Sequence, residues 1–88
     1  MNEHLAFAQC LQRVLNETEL TATEVARRLE MRSRNSIFRI LKGKTSPQLN
    51  RRFLESLHKH VGEQLTEAQW AALNRALEMD AVGAVEYK

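Results

Sequence analysis

A chain of 88 residues, 43% of them apolar and 27% charged, has the make-up of one ordinary globular domain, since a single core commonly serves ~100–200 residues. No apolar run approaches the ~20 residues of a membrane span, and the start, MNEHLAFAQC, lacks the basic and unbroken apolar stretches of a signal peptide. The single Cys10 cannot form an internal disulfide, so a reducing, cytoplasmic setting is the expectation.

The net charge of +2 conceals an asymmetry. Residues 27–59 hold ten basic residues (Arg27, Arg28, Arg32, Arg34, Arg39, Lys42, Lys44, Arg51, Arg52 and Lys59) and two acidic ones (Glu30 and Glu55), a net of +8. The remainder holds three basic and nine acidic residues, a net of −6. A cationic block between acidic flanks suits a polyanion, through phosphate contacts and counterion release. The plainer reading is a solvated charged face.

The spacing predicts five helices and no strand, because no alternation persists and β-branched residues are scattered. The first covers residues 3–16, with Asn2 as N-cap and an apolar stripe of Leu5, Ala8, Leu11 and Leu15 widened by Phe7 and Val14. Residues 17–20 read as a connector. The second covers 22–30: Thr21 and Glu24 fit a capping box, and Val25, Ala26 and Leu29 form the buried face.

The third covers 34–42, after a Ser33 N-cap or a later one at Asn35, with Ile37, Ile40 and Leu41 on one face and Gly43 as the stop. The fourth covers 47–60, capped by Ser46 with Pro47 in the first helical position, and its stripe is Leu49, Phe53, Leu54, Leu57 and Val61 before Gly62. The fifth covers 67–79, opened by a Thr66–Gln69 capping box, with Trp70, Leu73 and Leu77 inward beside Ala72 and Ala76. Residues 1–80 then form the domain. Residues 81–88, AVGAVEYK, read as a tail or the start of a following segment.

Residues 21–44, TATEVARRLEMRSRNSIFRILKGK, carry the functional signal. Two short helices are joined by a tight turn around residues 31–33, with small Ala26 placed where they cross closely. Ile37 and Ile40 face Val25 and Leu29. Arg34, Asn35, Ser36, Phe38, Arg39 and Lys42 are left outward. Arg can bond guanine O6 and N7 in bidentate fashion, Asn can do the same to adenine, and an exposed Phe38 can pack on thymine methyls. Partial burial under the turn is the other reading of Phe38.

These residues resemble the lambda-repressor and Cro-like helix-turn-helix family, also called the xenobiotic-response-element family. The resemblance lies in Leu20-Thr21, Glu24-Val25-Ala26, Leu29, Met31, Ser36-Ile37-x-Arg39-Ile40 and Lys42-Gly43-Lys44, followed by Ser46-Pro47 and an apolar fourth helix. It covers roughly residues 5–77, and its central part is the specific one. It implies an all-α, five-helix bundle whose third helix reads double-stranded DNA. It places Arg34, Asn35, Ser36 and Arg39 at base edges. Lys42, Lys44, Thr45 and the start of the second helix, at Thr23, fall on phosphates. Members usually carry glycine where this sequence has Glu30, and the segment between Met31 and Ile37 is one residue longer than the common spacing. The turn is therefore made by other means, with Glu30 ending the helix and residues 32–33 in the loop.

Nothing else competes strongly. Cys10 reads as a half-buried filler without a histidine partner. His58 and His60 are two apart and do not share a helix face, so no metal ligand set assembles. Gly43, Gly62 and Gly83 read as stops or breaks, and there is no Gly-rich phosphate loop. Trp70 is core or a dimer contact; Arg51 and Arg52 are phosphate contacts or solvated. No acid, base and nucleophile combine into an enzyme. The sequence thus predicts a transcription regulator that binds specific double-stranded DNA as a homodimer, without cofactor, metal or evident small-molecule substrate. The rival reading is a protein-interaction module on the same fold, such as an antitoxin or adaptor.

Overall fold

The computed structural model describes the backbone of residues 5–31 and 34–86 and the side chains of 6–31 and 35–82. Five α-helices follow one another: α1 (Leu5–Thr18), α2 (Ala22–Arg28), α3 (Arg34–Leu41), α4 (Pro47–Val61) and α5 (Glu67–Glu86), with a 3-10 turn at Gly62–Gln64 between the last two. The described residues contain no strand. The expected all-α, five-helix architecture is what forms. The radius of gyration is 12.2 Å, against about 12 Å for a compact chain of this length, so all five helices belong to one body.

The core draws on every helix. Phe7 and Leu11 of α1, Val25 of α2, Ile37 and Ile40 of α3, Leu57 and Val61 of α4, and Leu73 and Leu77 of α5 are all essentially buried. The α1 and α5 pair forms the scaffold. These helices run antiparallel. Gln69, at the start of α5, donates to the Glu17 carboxylate near the end of α1 (3.0 Å). At the other end the Asp80 carboxylate accepts from the backbone N–H groups of Ala6 (3.2 Å) and Phe7 (3.0 Å). The first N–H groups of a helix have no partner within it, and an anion there also meets the positive end of the helix dipole. A residue some 70 positions away thus caps α1; the predicted cap, Asn2, lies outside the described residues.

Three helix ends use the same left-handed stop. At each, a residue with positive φ turns the chain, its own N–H bonds the carbonyl three residues back, and the next N–H bonds the carbonyl five back. At α1 the residue is Glu19 (φ 60°), with Leu20 N–H on Leu15 O. At α2 it is Glu30 (φ 55°), with Met31 N–H on Ala26 O. At α3 it is Gly43 (φ 74°), with Lys44 N–H on Arg39 O. Glu30 therefore adopts the backbone shape that glycine serves more cheaply. Leu20 is buried and Met31 partly buried, so apolar contact just past each turn helps hold a glutamate where its Cβ is unfavourable by about 1–2 kcal/mol.

Several element ends differ from expectation. Helix α1 runs on to Thr18, whose hydroxyl folds back onto Val14 O (2.9 Å), absorbing half of the predicted connector. Helix α5 continues to Glu86 rather than ending at Met79. Residues 81–86, expected within a tail or the start of a following segment, continue this helix, and Gly83 lies inside it instead of breaking it. A single interior glycine costs only about 1 kcal/mol against alanine. Helix α4 ends at Val61 as the Gly62 stop predicts, yet Gly62 has φ −55° and opens the 3-10 turn instead of reversing the chain. Its carbonyl accepts from Trp70 Nε1 (3.3 Å), and the Trp70 ring lies 4.8 Å from that of His58, so half-buried Trp70 pins the corner between α4 and α5. Ala72, placed beside the core by its spacing, is exposed, whereas Ala76 is buried.

Ser46, Thr21 and Thr66 each cap the helix that follows with a side-chain oxygen. Ser46 Oγ accepts from Leu49 N–H (3.2 Å) with Pro47 in the first turn, and Thr21 Oγ1 accepts from Glu24 N–H (3.1 Å). Thr66 and Gln69 satisfy each other's backbone N–H groups reciprocally, at 3.1 and 2.8 Å.

Two predictions follow from these ends. Glu19→Gly and Glu30→Gly should each raise stability in a denaturant melt by about 0.5–1 kcal/mol, while Gly43→Ala lowers it by about 1–2 kcal/mol. The opposite ordering would contradict the left-handed assignment. Asp80→Ala should lower stability by about 1 kcal/mol, the usual value of an N-cap, and a melt identical to the unsubstituted chain would show that the α1 cap carries no weight.

Candidate nucleic-acid interface

The eight residues of α3 divide cleanly. Ile37 and Ile40 stand three apart, and both are buried in the common core, at 0% and 2% exposure. Leu41 is partly buried beside them. With ~100° between successive residues, Asn35, Ser36, Phe38 and Arg39 must then turn away from the core, and all four are exposed. Phe38 keeps 43% of its surface open, so the outer face of this short helix carries an aromatic ring in water. Arg34 opens α3, but its side chain lies outside the described atoms. The Ser33 cap and the turn at 32–33 are likewise outside the described residues. The C-terminal end is tied down: Gln12 of α1 donates to Leu41 O (3.2 Å), filling a carbonyl that the helix itself leaves open.

The residues expected on phosphate do not all share one environment. Lys42 and Lys44 are exposed at the end of α3, and Thr23 is exposed in the first turn of α2. Thr45 differs. It is 7% exposed and its hydroxyl donates to Asn50 Oδ1. The side chain belongs to the junction of α3 and α4 rather than to the open surface, because it sits under the start of α4. An open groove runs along this junction, lined by Ser36 and Arg39 from α3, Thr45 and Ser46 from the connection, and Leu49 from α4. Three expected contact residues (Ser36, Arg39 and Thr45) are thereby brought together.

Leu49 and Asn50 correct the sequence reading of α4. Leu49, predicted in the core stripe, is 48% exposed and lines the groove; Asn50, outside the predicted stripe, is fully buried. The helical phase explains the exchange. Measured around α4, Leu54, Leu57 and Val61 cluster about the direction of Asn50, while Leu49 lies about 100° to one side. Position decided burial there, not polarity.

The charged surroundings are cationic. Arg27, Arg28, Arg39, Lys42, Lys44, Arg51, Arg52 and Lys59 are all exposed. Among the described residues no three His, Cys, Asp or Glu side chains come together as a metal-holding group. Cys10 is partly buried, and burial pushes its thiol above the ordinary range, with Arg13 opposing and Glu17 reinforcing the shift. No helix among the described residues is long and apolar enough to cross a membrane.

No family model matches the chain, and searches of curated proteins and of solved structures likewise give no match.

The two faces of α3 should respond differently to truncation. Ile40→Ala is expected to destabilise the fold by about 2–5 kcal/mol through the cavity it leaves. Phe38→Ala should change stability by no more than about 0.5 kcal/mol, as exposed positions do. Equal losses in paired thermal melts would mean that Phe38 is structural.

Proposed function

We propose that the chain binds specific double-stranded DNA as the reading unit of a transcription regulator, in helix-turn-helix fashion, with α3 seated in the major groove. The observation that carries this reading is the split of α3. Its apolar side is spent on the core, and Asn35, Ser36, Phe38 and Arg39 are exposed together on the other side, within a segment of net charge +8. An α-helix with its side chains is about 10–12 Å across, which fits the ~12 Å width of the major groove. The chemistry also fits. Arg39 supplies a planar fork for guanine, Asn35 a donor–acceptor pair for adenine, Ser36 a versatile hydroxyl, and Phe38 an apolar surface for thymine methyls. Lys42 and Lys44 follow directly at the end of α3, where they can neutralise phosphates and release counterions.

A homodimer on a two-fold operator accompanies this reading, with half-sites about 34 Å apart. Regulation would come from occluding a promoter or recruiting to it. A second reading has its own support. Met79 and Val82, three apart on α5, are 61% and 57% exposed, and an exposed apolar pair of this kind suits a protein contact. In the first reading it serves the second copy; in the second it serves a different protein, as in an antitoxin or adaptor.

Selection of bound sites from a random duplex pool separates the two. A recovered consensus with two-fold symmetry supports the dimeric DNA reader. Recovery of no duplex at low salt, with a light-scattering complex formed on a protein partner, supports the interaction module. On the selected site, Arg39→Ala should cost about 1–3 kcal/mol and relax the preference at one base pair. Lys44→Ala should weaken all sequences alike and reduce the slope of log K against log salt by about 1. Equal loss on selected and random DNA for Arg39→Ala would remove it from base reading.

A further inference from the structure

Among the described residues, Asn50 is the one buried polar side chain whose hydrogen bonding is incomplete. It is 0% exposed; its Oδ1 accepts from the Thr45 hydroxyl, and its Nδ2 finds no acceptor among the described residues. A buried donor left without a partner is costly, and the usual remedy is a hydrophobic residue at that position. This chain instead keeps an amide on the axis of the α4 core stripe, directly joined to Thr45. Thr45 in turn lines the groove that Ser36, Arg39, Ser46 and Leu49 share. Thr45 therefore touches both the buried amide and the groove.

The direction of the hydrogen bond matters. As arranged, the Thr45 hydroxyl spends its one proton inward, on Asn50 Oδ1. Turning the Asn50 carboxamide by half a rotation reverses the chain of bonds. Nδ2 then donates to Thr45 Oγ1, the unpaired donor gains an acceptor, and the hydroxyl proton is freed to point into the groove. The group left unpaired is now a carbonyl oxygen, which interiors tolerate better than an unpaired N–H. What the rotated state needs is an acceptor in the groove that has no proton of its own to give. A phosphate diester oxygen is such an acceptor, it forms the stronger charge-assisted bond, and exposed Arg39, Lys42 and Lys44 favour an anion at this edge of α3.

We propose that Asn50 and Thr45 form a two-residue hydrogen-bond relay that seats one backbone phosphate of the bound duplex in the groove between α3 and α4. Thr45 is the contact residue. Asn50 is a positioning residue that acts only through it, and the amide rotation couples DNA contact to a change inside the core. The relay rests on the DNA reading above and deepens it by naming a phosphate subsite. It also gives Thr45 a role on phosphate that its burial alone would deny.

The test uses the full chain and the duplex recovered by selection, with each phosphate replaced in turn by an uncharged methylphosphonate. In the unsubstituted protein one position should show a clear penalty that vanishes in Thr45→Val. Thr45→Val should bind the native duplex about 5–20-fold more weakly, whereas Thr45→Ser, which keeps the hydroxyl, should bind within about twofold of the unsubstituted chain. The side-chain amide resonances of Asn50 should shift on adding duplex, and should not shift in Thr45→Val. Identical methylphosphonate profiles for the two proteins would overturn the relay while leaving DNA binding intact. Should Thr45→Val fail to melt cooperatively, the Asn50 resonances of the unsubstituted protein decide: unmoved by duplex, they overturn it. If the unsubstituted chain binds no duplex even at low salt, the DNA reading fails first and takes the relay with it.

Discussion

Two helices of seven and eight residues, α2 and α3, are far too short to persist in water by themselves. What keeps α3 helical is the burial of Ile37 and Ile40 in a core that α1, α4 and α5 also build. This one anchoring constrains everything on the surface above it. Because both isoleucines are fully enclosed, α3 cannot roll about its axis, and Asn35, Ser36, Phe38 and Arg39 are held outward as a fixed set. The geometry on which the proposed reading depends is thus a consequence of core packing, not of any property of the outward residues themselves.

The scaffold beneath is closed by contacts far apart in sequence. Antiparallel α1 and α5 are joined at both ends, by Asp80 on the first turn of α1 and by Gln69 on Glu17. Trp70 ties the corner after α4 to the start of α5. The end of α2 is turned without glycine, by Glu30 in a left-handed conformation backed by Met31. Strain of this kind survives where surrounding packing over-determines the backbone, and here both flanking helices are locked by buried Val25, Ala26 and Ile37. A chain that places α3 so firmly can carry glutamates where glycine would be easier.

At the junction of α3 and α4 the core and the surface meet. Leu49 faces the groove and Asn50 the interior, the reverse of what their polarity suggests. Asn50 is bonded to Thr45, and Thr45 lines the groove. In the proposed reading this makes the boundary of the interface a part of the core's own hydrogen bonding, so the same side chains answer to stability and to recognition.

Local chemistry was readable from the residues alone. Five helices, the reciprocal Thr66–Gln69 cap, Ser46 ahead of Pro47 and the Gly43 stop each depend on residues within a few positions of one another, and each stands as expected. The inward pair Ile37 and Ile40 was equally visible, because a period of 3.6 leaves one face to the core. Tertiary structure alone decided the rest. It set Asp80 on α1, gave Glu19 and Glu30 the shape of glycine, carried α5 through Gly83, and exchanged Leu49 for Asn50. Each of these depends on what stands opposite in space, and a residue's neighbours across the fold are not written in its spacing along the chain.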